Sequence, residues 1–203
     1  MPQKIIAQGA EAIIYLNKNI VTKDRIKKSY RIPELDKKIR KQRTKAETKL
    51  LDKASQIINS PKPIVTENQY QIKIPLIKGK KLSENLDSFS IKKQKEICRE
   101  IGQGIAKLHE KNIIHGDLTT SNMILAEKEN KIYFIDFGLG FISDKIEDRA
   151  VDLHLLKQAL EAKHFKNAQV LFDEILSGYQ DYKRSKEVLT RLKEVENRGR
   201  YKH

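Results

Sequence analysis

Residues 115–122 of this chain read His-Gly-Asp-Leu-Thr-Thr-Ser-Asn, and residues 136–138 read Asp-Phe-Gly. Asp117 is followed five residues later by Asn122, on a stretch flanked by short apolar runs, and Asp136 ends the next apolar run. This spacing can place a base and a metal ligand side by side, and magnesium prefers such oxygen ligands. Phosphoryl transfer needs a positioned nucleophile and neutralised phosphate charge, so these residue types predict that chemistry.

The spacing resembles the catalytic loop and the magnesium loop of protein kinases. The resemblance implies that Asp117 is the catalytic base and that Asn122 and Asp136 hold magnesium. Turn caps and a plain strand end are the alternative, but three elements in the expected order argue against it. Asp152, early in a predicted helix, matches the buried aspartate that braces the kinase catalytic loop. Its alternative is an exposed acid in the first turn of a helix.

Residues expected to bind ATP lie mostly in the N-terminal part of the chain. Residues 8–12 sit between two predicted strands and resemble the loop that covers the nucleotide in kinases, although they contain a single glycine. Lys23 takes the position of the kinase lysine that grips the phosphates, and Glu47 on a long predicted helix is its expected partner. Lys27 and Lys28 are nearby alternatives for this lysine. Pro75 removes one backbone donor beside the adenine. The expected ATP-binding residues are Gln8, Gly9, Ala10, Glu11, Ala12, Lys23, Glu47, Ile74 and Leu76.

The order of the predicted elements places a small β-rich part before a helical part. Short apolar runs before residue 22 predict strands, and apolar residues at helical spacing predict a helix over 33–58. Gly79 is expected to mark a break after the first part. Further strands are expected at 64–66, 70–77, 113–114, 123–125 and 132–135, and further helices at 90–111, 148–162, 167–177 and 185–197. Ser90 is expected to cap the first of these helices, whose apolar face is Ile97, Ile101, Ile105 and Leu108. We therefore predict an α+β, bilobal protein-kinase-like fold, with an N-lobe over 1–78 and a reduced, helical C-lobe over 79–203.

One part of a full protein kinase is missing from the sequence. After residues 136–138, such kinases carry an activation segment and a peptide-docking region that ends in Ala-Pro-Glu. Here residues 139–144 lead almost at once to the helix predicted near Asp148, and the chain has no Ala-Pro-Glu. The platform that orients a protein substrate is therefore predicted to be largely absent.

Composition narrows the class of protein further. The chain has 203 residues, one cysteine (Cys98) and a formal net charge of +14. No apolar run reaches the roughly 18 residues of a membrane span, and no secretory signal opens the chain. A cytoplasmic protein without a membrane segment is therefore expected. Residues 18–53 hold 14 basic and 5 acidic residues, and residues 183–203 hold 8 and 3. Such patches attract polyanions, although a generally lysine-rich surface is the alternative.

A more specific resemblance rests on several long motifs taken together. They are residues 8–12, the segment 30–36 (Tyr-Arg-Ile-Pro-Glu-Leu-Asp), the loop 115–122, residues 136–143 and the basic end Arg198-Gly199-Arg200. In this order they resemble the kinase subunit of the KEOPS complex, a PRPK-like family, in its archaeal type. The resemblance covers essentially the whole chain.

This resemblance implies an atypical Ser/Thr protein kinase that is also an ATPase, with ATP and Mg²⁺ as cofactors. It implies work in an assembly that makes N6-threonylcarbamoyladenosine at position 37 of tRNA. The implied partners are the threonylcarbamoyl-transferase subunit on the C-lobe, a small Cgi-type subunit on the N-lobe, and tRNA. Kinase and transferase are fused in many archaea, so the chain is either free-standing or one domain of a fusion. The expected tRNA contacts are Lys37, Lys38, Arg40, Lys41, Arg43, Arg198, Arg200 and Lys202.

Two other functions stay open on the sequence. One is a RIO-type kinase or a small-molecule phosphotransferase of the aminoglycoside or choline type, which shares the His-x-Asp loop and the short activation segment. A small-molecule kinase, however, normally carries an inserted acidic substrate domain, for which this basic chain has no room. The other is a non-catalytic module that binds ATP or tRNA and serves as a scaffold. ATP hydrolysis by variants of Asp117 and Asp136 separates a catalyst from a scaffold.

Overall fold

The computed structural model describes residues 4–200, with only the backbone described at 199 and 200. The predicted tRNA contact Lys202 and the side chain of Arg200 thus lie outside the described residues. The strands are β1 (Lys4–Gln8), β2 (Ala12–Asn17), β3 (Ile20–Arg25), β4 (Gln71–Pro75), β5 (Gly79–Lys81), β6 (Ile113–Ile114), β7 (Met123–Ala126), β8 (Ile132–Phe134) and β9 (Phe141–Ile142). The helices are α1 (Pro33–Ser55), α2 (Leu82–Asn85), α3 (Ile91–Glu110), α4 (Ile146–Lys163), α5 (Ala168–Tyr179) and α6 (Ser185–Arg200), with 3-10 turns at Leu86–Ser88 and Thr120–Asn122.

The first part of the chain is an antiparallel sheet with one long helix. Its strands run in the order β1-β2-β3-β4. Helix α1 begins at Pro33, since proline has no N–H to leave unpaired and its φ suits the first helical position. Leu50, Leu51 and Ala54 are buried on one face of α1, and Glu47 lies one turn before Leu51 on the same face. This part supplies one wall of the site described below.

The second part combines small sheets with four longer helices. Strands β5, β7 and β8 form a three-stranded sheet, and β6 pairs with β9. The Ser90 hydroxyl accepts a hydrogen bond from the N–H of Lys93 and so caps α3, as the sequence predicted. The predicted apolar face of α3, which includes Ile97 and Ile101, is buried in the core. We propose that the two lobes divide as predicted, after residue 78, between β4 and β5.

One expectation for the first part is wrong. No strand forms over 64–66; the N–H of Ile64 makes a single bridge to the carbonyl of Lys73, at 2.7 Å. The proline at 63 has no N–H to extend this pairing into a ladder. Gly79, the expected break after the first part, is the first residue of β5, where it pairs with Ala126 in the second sheet. A Cβ at Gly79 would lie 2.3 Å from the carbonyl oxygen of Leu125, so only glycine permits this pairing.

Other boundaries shift by a few residues. Strand β4 ends at Pro75 rather than at residue 77, since the next N–H, that of Leu76, bonds to the β2–β3 turn. Helix α1 ends at Ser55 rather than at residue 58, and α4 begins at Ile146 rather than at 148. The short connection between residue 138 and α4 is confirmed. Within residues 4–200, no helix has the length and apolar character needed to cross a bilayer.

Candidate functional site

A cleft of about 390 Å³ separates the first sheet from the second. Its first wall is one face of the first sheet, because alternate residues of a strand and their cross-strand partners point to the same side. That face, helix α1 and the segment after β4 contribute Ile6, Ala7, Ile14, Val21, Lys23, Glu47, Leu51, Ile72, Ile74, Pro75, Leu76 and Ile77. The opposite wall contributes Lys81, Ser121, Asn122, Ile124, Ile135 and Asp136. A larger groove of about 500 Å³, between α1 and residues 63–72, holds none of the predicted catalytic residues.

Lys23 joins the two walls of the cleft. Its ammonium donates to Oε1 of Glu47 at 2.8 Å and to Oδ1 of Asp136 at 2.7 Å. The other carboxylate oxygen of Glu47 accepts from the buried guanidinium of Arg25. Burial raises the pKa of the Glu47 carboxyl, and the Lys23 ammonium opposes that rise. Of the nearby lysines considered from the sequence, Lys23 is the one that the structure pairs with Glu47.

Asp136 is held at the end of β8 by its backbone and its neighbours. It adopts a positive φ of 62°, and its Oδ1 accepts the N–H of Gly138 at 3.1 Å. Burial opposes ionisation, but the Lys23 ammonium and the Gly138 N–H outweigh it and hold the pKa of Asp136 below its usual range. A Cβ on Gly138 would lie 2.9 Å from that same Oδ1. The residue after Phe137 must therefore be small for Asp136 to reach Lys23.

Asp117 and Asn122 are hydrogen-bonded to each other. The amide nitrogen of Asn122 donates to Oδ2 of Asp117 at 2.8 Å and to its backbone carbonyl at 3.0 Å. The N–H of Ile135 donates to the carbonyl of Asn122 at 2.9 Å, which places this loop beside the residue preceding Asp136. The structure therefore brings together Asp117, Asn122 and Asp136, which the sequence predicted as one site.

Asp152 braces the start of the predicted catalytic loop, residues 115–122. Its two oxygens accept the backbone N–H groups of His115 and Gly116, each at 2.8 Å. It also bonds to Nε2 of His109, and burial lowers the pKa of both His109 and His115. Gly116 has φ of 77°, a conformation that favours glycine. Of the two interpretations of Asp152, the structure shows the buried brace rather than the exposed first-turn acid.

The donor set at the end of the loop fits magnesium. Asn122 uses its amide nitrogen for both of its bonds to Asp117, so its amide oxygen is available as a ligand. Asp136 offers a carboxylate beside it, and hard oxygen ligands of this kind suit Mg²⁺. Among the described residues, no group of three or more His, Cys, Asp or Glu side chains forms a metal cage. These two residues therefore suit an ion that takes its other ligands from phosphate and water.

The predicted nucleotide loop lies beside the cleft rather than within it. Residues 8–12 run from the last residue of β1 to the first residue of β2, with the turn at 9–11. The preceding Ile6 and Ala7 line the cleft, whereas residues 8–12 do not. The Glu11 carboxylate is paired with the guanidinium of Arg43 on α1, at 2.8 Å. The loop is thus attached to the helix that carries the partner of Lys23.

The segment that connects the two parts leaves one predicted ATP-binding residue, Leu76, without a free backbone N–H. Ile74 and Leu76 line the cleft as predicted. The N–H of Leu76, however, donates to the carbonyl of Asn19 at 2.8 Å. Pro75 has no N–H, and within the described chain the N–H of Ile77 makes no hydrogen bond. The sequence places Pro75, Leu76 and Ile77 beside the adenine, but only the Leu76–Asn19 pairing shows which N–H is unused.

The predicted tRNA contacts divide into exposed and engaged side chains. Three lysines on α1 are exposed and form no ion pair within residues 4–200; we call Lys37, Lys38 and Lys41 the α1 lysines. Arg40 instead pairs with Asp36 at 2.7 Å, and Arg43 pairs with the loop carboxylate described above. Arg198 pairs with Glu147 at 2.9 Å. The two α1 arginines and Arg198 thus already have intramolecular partners.

Comparison with known proteins identifies the family. The chain matches the protein kinase domain family over residues 2–165. It is 44% identical to the KEOPS complex subunit Bud32 of Pyrococcus abyssi, an alignment that covers 98% of this chain and 96% of that protein. The chain belongs to the Bud32 family of protein kinases. A probable serine/threonine-protein kinase BUD32 homolog of Archaeoglobus fulgidus is 40% identical, with 95% of this chain and 94% of that protein aligned.

Other Bud32-family sequences occur within longer proteins. A probable bifunctional tRNA threonylcarbamoyladenosine biosynthesis protein of Methanobrevibacter smithii is 44% identical over 100% of this chain, which corresponds to 38% of that protein. This chain therefore spans nearly all of the two shorter relatives and little more than a third of the bifunctional one.

A solved structure supports the fold. The Rio2 kinase of Chaetomium thermophilum, solved as an ADP/Mg²⁺-phosphoaspartate complex, superposes with a TM-score of 0.63 at 16% identity. The superposition covers 96% of this chain and 70% of that one. At this identity the likeness concerns the fold alone. The predicted protein-kinase-like fold and the predicted family are both confirmed.

Proposed function

We propose that this chain transfers or hydrolyses the γ-phosphoryl group of magnesium-bound ATP and does so within a tRNA-modifying assembly. The observation that carries the proposal is the position of Lys23, which bridges Glu47 and Asp136 across the cleft. In phosphoryl transfer a lysine so placed can hold nucleotide phosphates, while the carboxylate facing it can share a metal ion with them.

The nucleotide is proposed to enter with its adenine between the apolar walls. Ile74 and Leu76 contribute to one wall, and the unused N–H of Ile77 can donate to the adenine ring. Lys23 would bind the phosphates, and residues 8–12 would cover them from the β1–β2 turn. This orientation places the apolar half of the cleft against the base and its charged half against the phosphates.

Magnesium is proposed to be held by Asn122 and Asp136 together with phosphate oxygens. When bound, the ion would neutralise charge on the transferred phosphoryl group. Asp117 would accept the proton of the attacking hydroxyl group or water. The Asn122 amide that donates to Asp117 would keep this carboxylate oriented. The tight hydrogen bonding of this loop supports a preorganised site.

Water is the acceptor that we favour, so that the main output is ATP hydrolysis. The segment after residue 138 is short, and α4 begins at Ile146. The buried guanidinium of Arg149 donates to the carbonyls of Asp144 and His109, at 2.6 and 3.2 Å, and so holds this segment against the helical part. A segment held in this way leaves little surface on which a peptide could be oriented. Protein phosphorylation would then be a secondary activity.

The setting proposed for this activity is a KEOPS-type assembly that makes N6-threonylcarbamoyladenosine in tRNA, in the cytoplasm. Two features support it. The Pyrococcus abyssi relative is a KEOPS complex subunit, and in the bifunctional relatives a region like this chain is joined to another. We propose that the transferase subunit binds the C-lobe, that a small Cgi-type subunit binds the N-lobe, and that the α1 lysines, Arg198, Arg200 and Lys202 contact tRNA.

ATP hydrolysis by three forms of the protein tests the proposal. Wild type, Asp117→Ala and Asp136→Ala are assayed with and without tRNA and the transferase subunit. Removal of a base or of a charge-stabilising group typically costs about 100-fold or more in rate, and each variant is expected to lose that much. Asp173→Asn, an exposed carboxylate on α5, is the matched control and is expected to keep the wild-type rate. Equal rates in all forms would support the scaffold alternative and overturn the catalytic one.

A further inference from the structure

A chain of hydrogen bonds connects the catalytic loop to the far side of the helical part. Nδ1 of His164 lies 2.9 Å from Oδ1 of Asp87, and Nε2 of His164 lies 3.0 Å from the hydroxyl of Thr120. Thr120 and His164 are each 2% exposed, whereas the side chain of Asp87 is 54% exposed. The chain of contacts thus begins at the surface and ends at a buried residue of the catalytic loop.

The direction of each hydrogen bond follows from the chemistry of the partners. A carboxylate only accepts, so a neutral His164 donates from Nδ1 to Asp87. Nε2 is then the acceptor, and the Thr120 hydroxyl must donate to it. Asp87 therefore selects the ring tautomer that Thr120 needs.

The three residues come from distant parts of the fold. Asp87 lies in the 3-10 turn Leu86–Ser88, and His164 is the C-cap residue that follows α4. Thr120 opens the 3-10 turn that ends with Asn122. Asp152, earlier on α4, already holds the start of the same loop through the N–H groups of His115 and Gly116. Asp152 on α4 and His164 just after α4 thus contact the catalytic loop at its start and in its second half.

We propose that Thr120, His164 and Asp87 are positioning residues that hold the second half of the catalytic loop. The proposal rests on the proposed function, because the loop matters for ATP turnover only if Asp117 and Asn122 serve it. Asn122 is two residues after Thr120, and its N–H bonds to the carbonyl of Thr119 within the same turn. If the Thr120 hydroxyl is lost, nothing on the described chain replaces that contact, and the turn can move Asn122 away from Asp117.

The direct test replaces Thr120 by valine, which keeps the shape and removes the hydroxyl. We expect Thr120→Val to lower kcat about tenfold, the scale of one buried hydrogen bond. The KM for ATP should change less than about twofold, because adenine and Lys23 contacts are untouched. Thr120→Ser keeps the donor and should restore most of kcat. Thr48→Val is the matched control, since the Thr48 hydroxyl is also part-buried and bonded, but on α1.

Two further measurements separate this proposal from a general loss of stability and from the proposed function itself. Hydrogen–deuterium exchange over residues 117–124 should increase in Thr120→Val and remain at the wild-type level in Thr120→Ser. This readout needs no catalytic turnover, so it tests the brace even if the wild type does not hydrolyse ATP. Asp87→Ala, at the exposed end, should produce a smaller change of the same kind even if Thr120→Val does not fold.

A double variant tests whether the three residues act as one unit. If they do, Asp87→Ala should add little to the effect of Thr120→Val on exchange or on kcat. The proposal is overturned if Thr120→Val and Thr120→Ser behave alike, or if the two substitutions contribute independently.

Discussion

Glu47 carries the most consequential charge in the first part of the molecule, and its replacement by alanine gives a quantitative test. Its carboxylate is 4% exposed and bonds two cations, Lys23 with one oxygen and Arg25 with the other. After Glu47→Ala, Lys23 still has Asp136 as a partner. Arg25 is 5% exposed and its Nε already makes no hydrogen bond within the described chain, so its charge would be buried without a carboxylate.

The expected loss of stability follows from that uncompensated charge. Removing one member of a buried ion pair typically costs about 3–5 kcal/mol, because the other charge stays buried. We place Glu47→Ala near the lower end, at about 3 kcal/mol in the free energy of unfolding, since Lys23 keeps a second partner. ATP hydrolysis should also fall by about 100-fold, because the Lys23 ammonium is no longer held by the carboxylate on α1.

A paired replacement separates these two effects. In the double variant Arg25→Met with Glu47→Leu, both charges are gone and apolar groups of similar size fill the space. Such replacements are often neutral or stabilising, so the free energy of unfolding should return to within about 1 kcal/mol of wild type. ATP hydrolysis should remain low, because Lys23 still lacks Glu47.

Urea unfolding at pH 7.5 and steady-state ATP hydrolysis measure the two quantities. Glu34→Ala, an exposed acid on the same helix, is the control and should cost less than about 1 kcal/mol through the helix dipole alone. The reasoning is refuted if Glu47→Ala costs no more than this control, or if the paired variant recovers hydrolysis together with stability.

Three further outcomes are expected. Burial lowers the pKa of His109 and His115 from the ordinary 6.5, so unfolding takes up protons. The free energy of unfolding is therefore not reduced by these histidines above pH 6.5. Below pH 6.5 it should fall by about 1.4 kcal/mol per pH unit for each histidine, as measured by urea titrations. A flat profile down to pH 5.5 would contradict this. Gly138→Ala should lower ATP hydrolysis about tenfold, because its Cβ crowds Oδ1 of Asp136. Unchanged kinetics would show that Asp136 can move aside without loss of activity. Replacing the α1 lysines by alanine should reduce the log–log salt slope of tRNA binding by about three, whereas the exposed Lys163→Ala should leave it unchanged.

The candidate catalytic residues of the second part, and the elements that carry them, could be predicted from the sequence. The spacing of Asp117, Asn122 and Asp136 predicted one site, and the structure brings the three together. The apolar period of α3 and its Ser90 cap were also predicted, because both signals lie within one element. The shortened connection after residue 138 was visible as a missing stretch of sequence.

Contacts that depend on a partner residue outside the local sequence pattern could not be predicted from the sequence. Strand β5 is only Gly79–Lys81, with no apolar alternation, and exists because Gly79 can approach β7 closely. Arg40 was expected to face tRNA but pairs with Asp36. The contacts of His164 with Asp87 and Thr120 join residues 77 and 44 positions apart. No local pattern encodes such pairs, since they arise when the helices pack.

We propose that ATP turnover at Asp117 and Asp136 drives tRNA modification. The most direct test measures phosphate release and N6-threonylcarbamoyladenosine formation together, in an assembly reconstituted with wild type or with Asp117→Asn. We predict that both products fall in parallel, by about 100-fold, while ATP binding is retained. Undiminished tRNA modification by the Asp117→Asn assembly, with phosphate release abolished, would contradict the claim.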